Sequence, residues 1–184
     1  MTRQLRTGFT LLELAIALTL SVVLLGAGSF LANRCTALLY TEMDLLALDG
    51  TGHRVLEHFV NELRVAASET IVPAILDDAS SVQYRQVSGY AKGKRQLSPA
   101  RSIEFRRDDG EAPNGKDDDG DGLVDEGSIV QVAGGSEVTL CSIATRCSLT
   151  GTETGIVVSI DLATVDATGR VAARSFSHEL SFRN

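Results

Sequence analysis

From Phe9 to Ala32 the chain is apolar over 24 residues and carries a single charge, Glu13. A helix of that length spans about 36 Å, enough to cross a hydrocarbon core of about 30 Å. Arg3 and Arg6 precede the run, which places its N-terminal side on the cytoplasmic face and the rest of the chain outside; Arg34 weakens that bias without reversing it. A carboxylate inside such a stretch costs on the order of 2.5–3.5 kcal/mol at mid-bilayer, so Glu13 marks a functional position with a cationic partner. A cut between Gly8 and Phe9 would create one, the α-amino group of Phe9. Within one helix Glu13 lies a full turn from that amine, but a neighbouring subunit shifted along its axis brings the two together. An ordinary secretory signal, with its shorter apolar core and small-residue cleavage site, does not fit. Nor does a lipoprotein, because Asn33 and Arg34 precede Cys35.

The order basic leader, Gly8, Phe9-Thr10-Leu11-Leu12-Glu13, apolar helix closely resembles the N-terminal signature of type IV pilins and pseudopilins. The resemblance implies that a membrane peptidase cuts after Gly8 and methylates Phe9, and that Glu13 registers subunits in a helical filament. It also implies other major and minor pilins or pseudopilins, the prepilin peptidase and an inner-membrane assembly platform as partners. A single-pass inner-membrane protein with a periplasmic C-terminal domain follows from the same resemblance.

The helix is expected to continue past the membrane. Leu56, Phe59, Val60, Leu63 and Ala67 recur at three- and four-residue spacing, with Glu57, Glu62 and Arg64 between them. Gly50 and Gly52 interrupt the pattern, each costing about 1 kcal/mol relative to Ala, and a bend is expected there. After Pro73 the period becomes two. Ile156, Val158, Ile160 and Leu162 mark one strand; Phe176, His178, Leu180 and Phe182 mark another. Weaker strands are expected at 81–87, 102–106, 128–132 and 137–141, and a mobile loop at 88–100. A long helix followed by strands predicts an α+β fold, the helix packed on an antiparallel sheet. The expected parts are a leader (1–8), a transmembrane helix (9–33), its extracytoplasmic continuation (34–70) and a β-rich domain (71–184) with an acidic loop at 108–127. The stretch 54–64 and the ending 176–184 are similar to J-type minor pseudopilins and W-type minor pilins.

The net charge is −7, and its distribution matters more than its size. The segment Asp108–Glu126 holds nine acidic residues against Lys116 alone, so it carries −8 and the rest of the chain +1. A nearly neutral body offers no basic patch for nucleic acid. Within the segment, Asp117, Asp119, Asp121 and Asp125 stand at relative positions 1, 3, 5 and 9, with Gly122 at 6. That spacing matches most of a calcium loop, because hard oxygen ligands converge only where the chain turns sharply. Leu123 would offer its carbonyl. Position 12 is Ser128 rather than glutamate, and no flanking helix is evident, so this is not a complete EF-hand. The string Asn114–Glu126 resembles short aspartate-rich calcium motifs of secreted bacterial proteins, a resemblance in which Asp125 and Glu126 complete the shell.

Cys141 and Cys147 enclose five residues and are expected to close a short disulfide loop, contributing about 2 kcal/mol by the chain-entropy estimate. Cys35 is left over, with a small packing role. His53, His58 and His178 read as surface or packing residues. No serine, cysteine or histidine constellation points to an enzyme. The sequence therefore points to a minor pilin or pseudopilin with a calcium-stabilised loop. The competing readings are a membrane-anchored calcium-dependent binding module or adhesin, and a DNA-uptake pseudopilin.

Overall fold

The computed structural model describes residues 10–73, 76–153, 155–166 and 169–181. Gly8, Phe9 and Phe182 lie outside these. One helix, α1 (Leu11–Arg64), begins at Thr10, whose Oγ1 accepts a hydrogen bond from the Glu13 amide at 3.3 Å. Thr10 thus caps the helix, and Glu13 at the third helical position favours the positive end of the helix dipole. The helix stops at Arg64, short of residue 70, and a single 3-10 turn follows at Ser68–Thr70.

The chain divides into two compact units, 1–41 and 42–184. In the first, the apolar side chains of α1, from Leu11 through Leu39, are exposed. The hydroxyls of Thr19, Ser21 and Thr36 donate back to the carbonyls of Ile16, Ala17 and Ala32 at 2.8–2.9 Å. Polar groups in an otherwise apolar stretch are thereby satisfied within the helix itself, as a hydrocarbon environment requires.

The second unit is an α+β domain. Six antiparallel strands form one sheet in the order β1-β4-β5-β6-β7-β8: β1 (Ser81–Tyr84), β4 (Arg101–Arg107), β5 (Gly127–Ala133), β6 (Ser136–Gly151), β7 (Gly155–Val165) and β8 (Val171–Ser181). Leu48, Gly52, Val55, Leu56, Phe59 and Leu63 of α1 are buried in this unit. Their spacing of three and four residues draws one stripe along the helix. That stripe belongs to the same core as Val82, Ile103, Ile129, Leu149, Val158, Ile160 and Leu162 from the strands. The alternation along β7 is direct: Ile156, Val158, Ile160 and Leu162 are buried while Val157, Ser159 and Asp161 are partly exposed.

Further expectations differ from the structure. Gly50 and Gly52 do not interrupt α1. Gly52 is a packing residue, because a Cβ there would collide with the Phe176 ring, which also meets His53 edge-on at 5.5 Å. The expected loop at 88–100 contains a hairpin of β2 (Val87–Ala91) and β3 (Lys94–Leu97), turning through Lys92 and Gly93, both at positive φ. Paired positive φ values suit the twist of a two-residue hairpin turn. Its strands are largely exposed, so no apolar alternation betrays them in the sequence. Finally, Cys141 and Cys147 are free thiols, not a disulfide. Both lie within β6, Cys141 opposite Ile129 and Cys147 opposite Ile160, and the five residues between them run on as strand. Bulges interrupt both ladders between them, and the thiols stay unbonded although Cys141 is near enough to help raise the ionisation of Cys147. Burial pushes the Cys147 thiol up to about 12 and raises that of Cys141, so both are neutral core groups. Cys35 is exposed on α1 rather than packed.

Candidate functional site

The acidic loop leaves β4 after Arg107 and enters β5 at Gly127. The Asp108 amide donates to the Glu126 carbonyl at 3.2 Å and closes its base. Above that base, short side chains turn the backbone on itself. Asp117 accepts the amides of Gly120 (2.6 Å) and Gly122 (2.9 Å), Asp119 that of Asp121 (3.0 Å), and Asp121 that of Leu123 (2.8 Å). Aspartate is suited to such local turns because its carboxylate reaches amides two or three residues ahead. Gly120 and Gly122, at φ +83° and +97°, supply the left-handed conformations between them.

Glu111 organises the loop from the opposite side. Its side chain, in a residue only 8% exposed, accepts the amides of Asp118 (2.9 Å), Asp119 (3.1 Å) and Asp125 (3.1 Å). Sequence spacing does not single Glu111 out, because it stands six residues before Asp117, outside the aspartate pattern. Its only signal was membership of the acidic run.

Carboxylate oxygens converge in two groups: one from each of Glu111, Asp117 and Asp119 lie within 4.8 Å of one another, and so do one from each of Asp119, Asp121 and Glu126. Asp125 belongs to neither group. Its carboxylate accepts the amides of Asn114 (3.0 Å) and Gly115 (3.0 Å), pinning the start of the loop to its end. Leu123 buries its side chain at the foot of the loop, and Gly122 packs beside Val165 at the end of β7.

Glu126 is the anomalous member. It is 2% exposed, and among the described residues neither of its carboxylate oxygens has a hydrogen-bond partner. Burial above all, with Asp121, Glu111 and Asp119 adding repulsion, holds its carboxyl above the usual carboxylate range. An isolated buried carboxylate is costly, and either a proton or a cation relieves it. The Asp119 and Asp121 carboxylates it approaches donate nothing when ionised. The donor set is hard oxygen throughout, the chemistry of calcium or magnesium rather than of zinc or copper.

The other functional segment is the start of α1. Glu13 is exposed in the first turn, among Leu12, Ile16 and Leu20. Among the described residues α1 is the one helix long and apolar enough to cross a membrane, with a peak mean hydropathy of 2.3.

Residues 3–29 match the family model of the prokaryotic N-terminal methylation motif. That motif supports a precursor of the type IV pilin or pseudopilin kind, and with the exposed apolar helix it fits a membrane-anchored pilin. Proteins of this kind are structural, processed by a prepilin peptidase and assembled with other pilins. No curated protein and no solved structure matches the chain.

Proposed function

We propose that the protein is a minor pilin or pseudopilin, a non-catalytic subunit of a type II secretion pseudopilus or a type IV pilus. The carrying observation is the methylation motif at 3–29 running directly into a helix whose apolar surface is exposed. Cleavage between Gly8 and Phe9 releases the leader, Phe9 is N-methylated, and Glu13 meets the Phe9 amine of a neighbouring subunit in the filament. Arg3 and Arg6 retain the leader in the cytoplasm, so the sheet domain stands in the periplasm before assembly. Its partners are the major and minor pilins of its system, the prepilin peptidase and the inner-membrane assembly platform. The test is the intact mass of membrane-extracted protein. A chain beginning at Phe9 with one added methyl group supports the reading; a chain beginning at Met1, or after Ala32, overturns it.

The acidic loop serves as a calcium brace in this reading. The buried Glu126 carboxylate, without a hydrogen-bond partner among the described residues and close to Asp119 and Asp121, supports that role. Asp117 and Glu111 flank the same cluster, with the Leu123 carbonyl as a further oxygen and Asp125 holding the loop closed. Bound calcium would neutralise the cluster and remove the penalty of an ionised Glu126. Calcium-dependent thermal stabilisation tests it.

A further inference from the structure

We infer that the acidic loop takes two calcium-class cations rather than one, bridged by the carboxylate of Asp119. The inference rests on the reading of this loop as a cation site and goes beyond it in number and ligand set.

Calcium binds oxygen at about 2.3–2.6 Å, so two oxygens on one ion lie no more than about 5 Å apart. Glu111, Asp117 and Asp119 meet that limit as one group, and Asp119, Asp121 and Glu126 meet it as another. The five carboxylates do not meet it as a single set; Asp119 alone belongs to both. One ion seated in either group therefore leaves two carboxylates of the other without a counter-charge. Charge points the same way. Five ionised carboxylates beside one divalent cation leave −3, and beside two leave −1, while Lys116 is the one basic residue of the loop.

Both groups have a buried anchor. Neither oxygen of Glu126 has a hydrogen-bond partner among the described residues, and one of them lies within 4.8 Å of an oxygen of Asp119 and of Asp121. Glu111 keeps capacity as well. Its Oε1 accepts two amides and its Oε2 one, and each carboxylate oxygen has two lone pairs, so Oε2 retains one for a cation. The amides that hold Glu111 fix it in place, so the ordering cost falls before the ion arrives.

The experiment is a calcium-binding isotherm on the full chain in detergent micelles, by equilibrium dialysis with radioactive calcium. Two ions per chain are expected. Glu111→Gln and Glu126→Gln should each lower the count to one, and Asp119→Asn should weaken both ions at least tenfold. One ion per wild-type chain overturns the two-ion inference and leaves the calcium brace standing. No bound calcium overturns both. Because the wild-type count decides between these outcomes, a variant that fails to fold does not blunt the test.

Discussion

Tyr84 donates its phenolic hydrogen to Glu62 Oε2 at 2.7 Å and so joins β1 to α1 within the domain core. Tyr84 is completely buried. From β5, Gln131 Nε2 donates to the Tyr84 oxygen at 3.2 Å, and the His58 ring meets Gln131 Oε1 at 3.0 Å. Two helix residues one turn apart, His58 and Glu62, thus close a circuit through two strands. Arg101 and Gln86 also donate to Glu62, at 3.1 and 2.9 Å. An apolar stripe tolerates sliding along a sheet, whereas directed hydrogen bonds do not. This circuit fixes the height and rotation of the Leu48–Leu63 stretch of α1 against the sheet.

Tyr84→Phe should therefore cost about 1–3 kcal/mol, because Glu62 and Gln131 each lose a partner in a shielded site. A thermal melt of the wild type and the variant measures it. The same residue gives an alkaline signature. Burial first, and then the hydrogen bond to Glu62, raise the Tyr84 ionisation above its ordinary value of 10.0. A group whose folded value is raised contributes stability that is complete below the unfolded value and is lost as pH climbs above it. Wild-type stability should decline from about pH 10 upward. In Tyr84→Phe that decline should be shallower; an unchanged slope would locate the alkaline sensitivity elsewhere.

Gly127→Ala should destabilise the domain by about 3 kcal/mol, at the upper end of overpacking effects. A Cβ at Gly127 would collide with the Arg106 carbonyl oxygen and come within 2.7 Å of the Arg107 Cα, both of them backbone atoms of the paired strand. Backbone in a ladder cannot step aside. Gly52→Ala makes the contrast: its obstacle is the movable Phe176 ring, and Ala is favoured over Gly in a helix by about 1 kcal/mol. Denaturant midpoints should fall far more for the first variant than for the second.

Millimolar calcium should raise the melting temperature relative to chelator. An ion at free concentration c that binds only the folded state adds RT ln(1 + c/Kd), about 1.4–2.7 kcal/mol at about 10 mM calcium for a Kd of about 0.1–1 mM, which amounts to several degrees for a chain of this size. Oxygen ligands and the absent twelfth-position glutamate suit an affinity on the order of 0.1–1 mM. Asp119→Ala combined with Asp121→Ala should abolish the separation. The calcium-free melt should move little, because both residues are exposed and what is lost in turn hydrogen bonds is offset by relief of repulsion. No shift with calcium would reduce the loop to a solvated acidic turn, and an equal shift with magnesium would make it a divalent-cation site without calcium selectivity.

Glu13→Ala should leave membrane insertion intact and reduce co-purification with other pilins. Removing a carboxylate makes the first turn more apolar, so insertion is not impaired. The Thr10 cap survives, since it uses the Glu13 backbone amide rather than the side chain. Undiminished co-assembly would deny Glu13 a registering role.

The features legible in the sequence are those carried by neighbours in the chain. The apolar run Phe9–Ala32 and the alternation of Ile156 to Leu162 follow from periods of one or two turns or pleats, and they fix a long helix and a strand wherever the rest of the chain goes. The aspartate spacing from Asp117 to Asp121 is of the same kind, because each carboxylate meets an amide two to five residues ahead. What only the tertiary structure decided depends on segments far apart in sequence. Glu111 joins the loop through amides seven to fourteen residues away, and Glu126, beside the start of β5, is buried although nothing in its neighbours along the chain marks it so. Gly52 is explained by Phe176, 124 residues later, and no local pattern reports that contact. Cys141 and Cys147 read as a closed loop when only their separation is considered. Pairing of β6 with β5 and β7 sets Cys141 opposite Ile129 and Cys147 opposite Ile160, and this cross-strand register, bulges included, leaves the thiols unbonded where the spacing alone allowed closure.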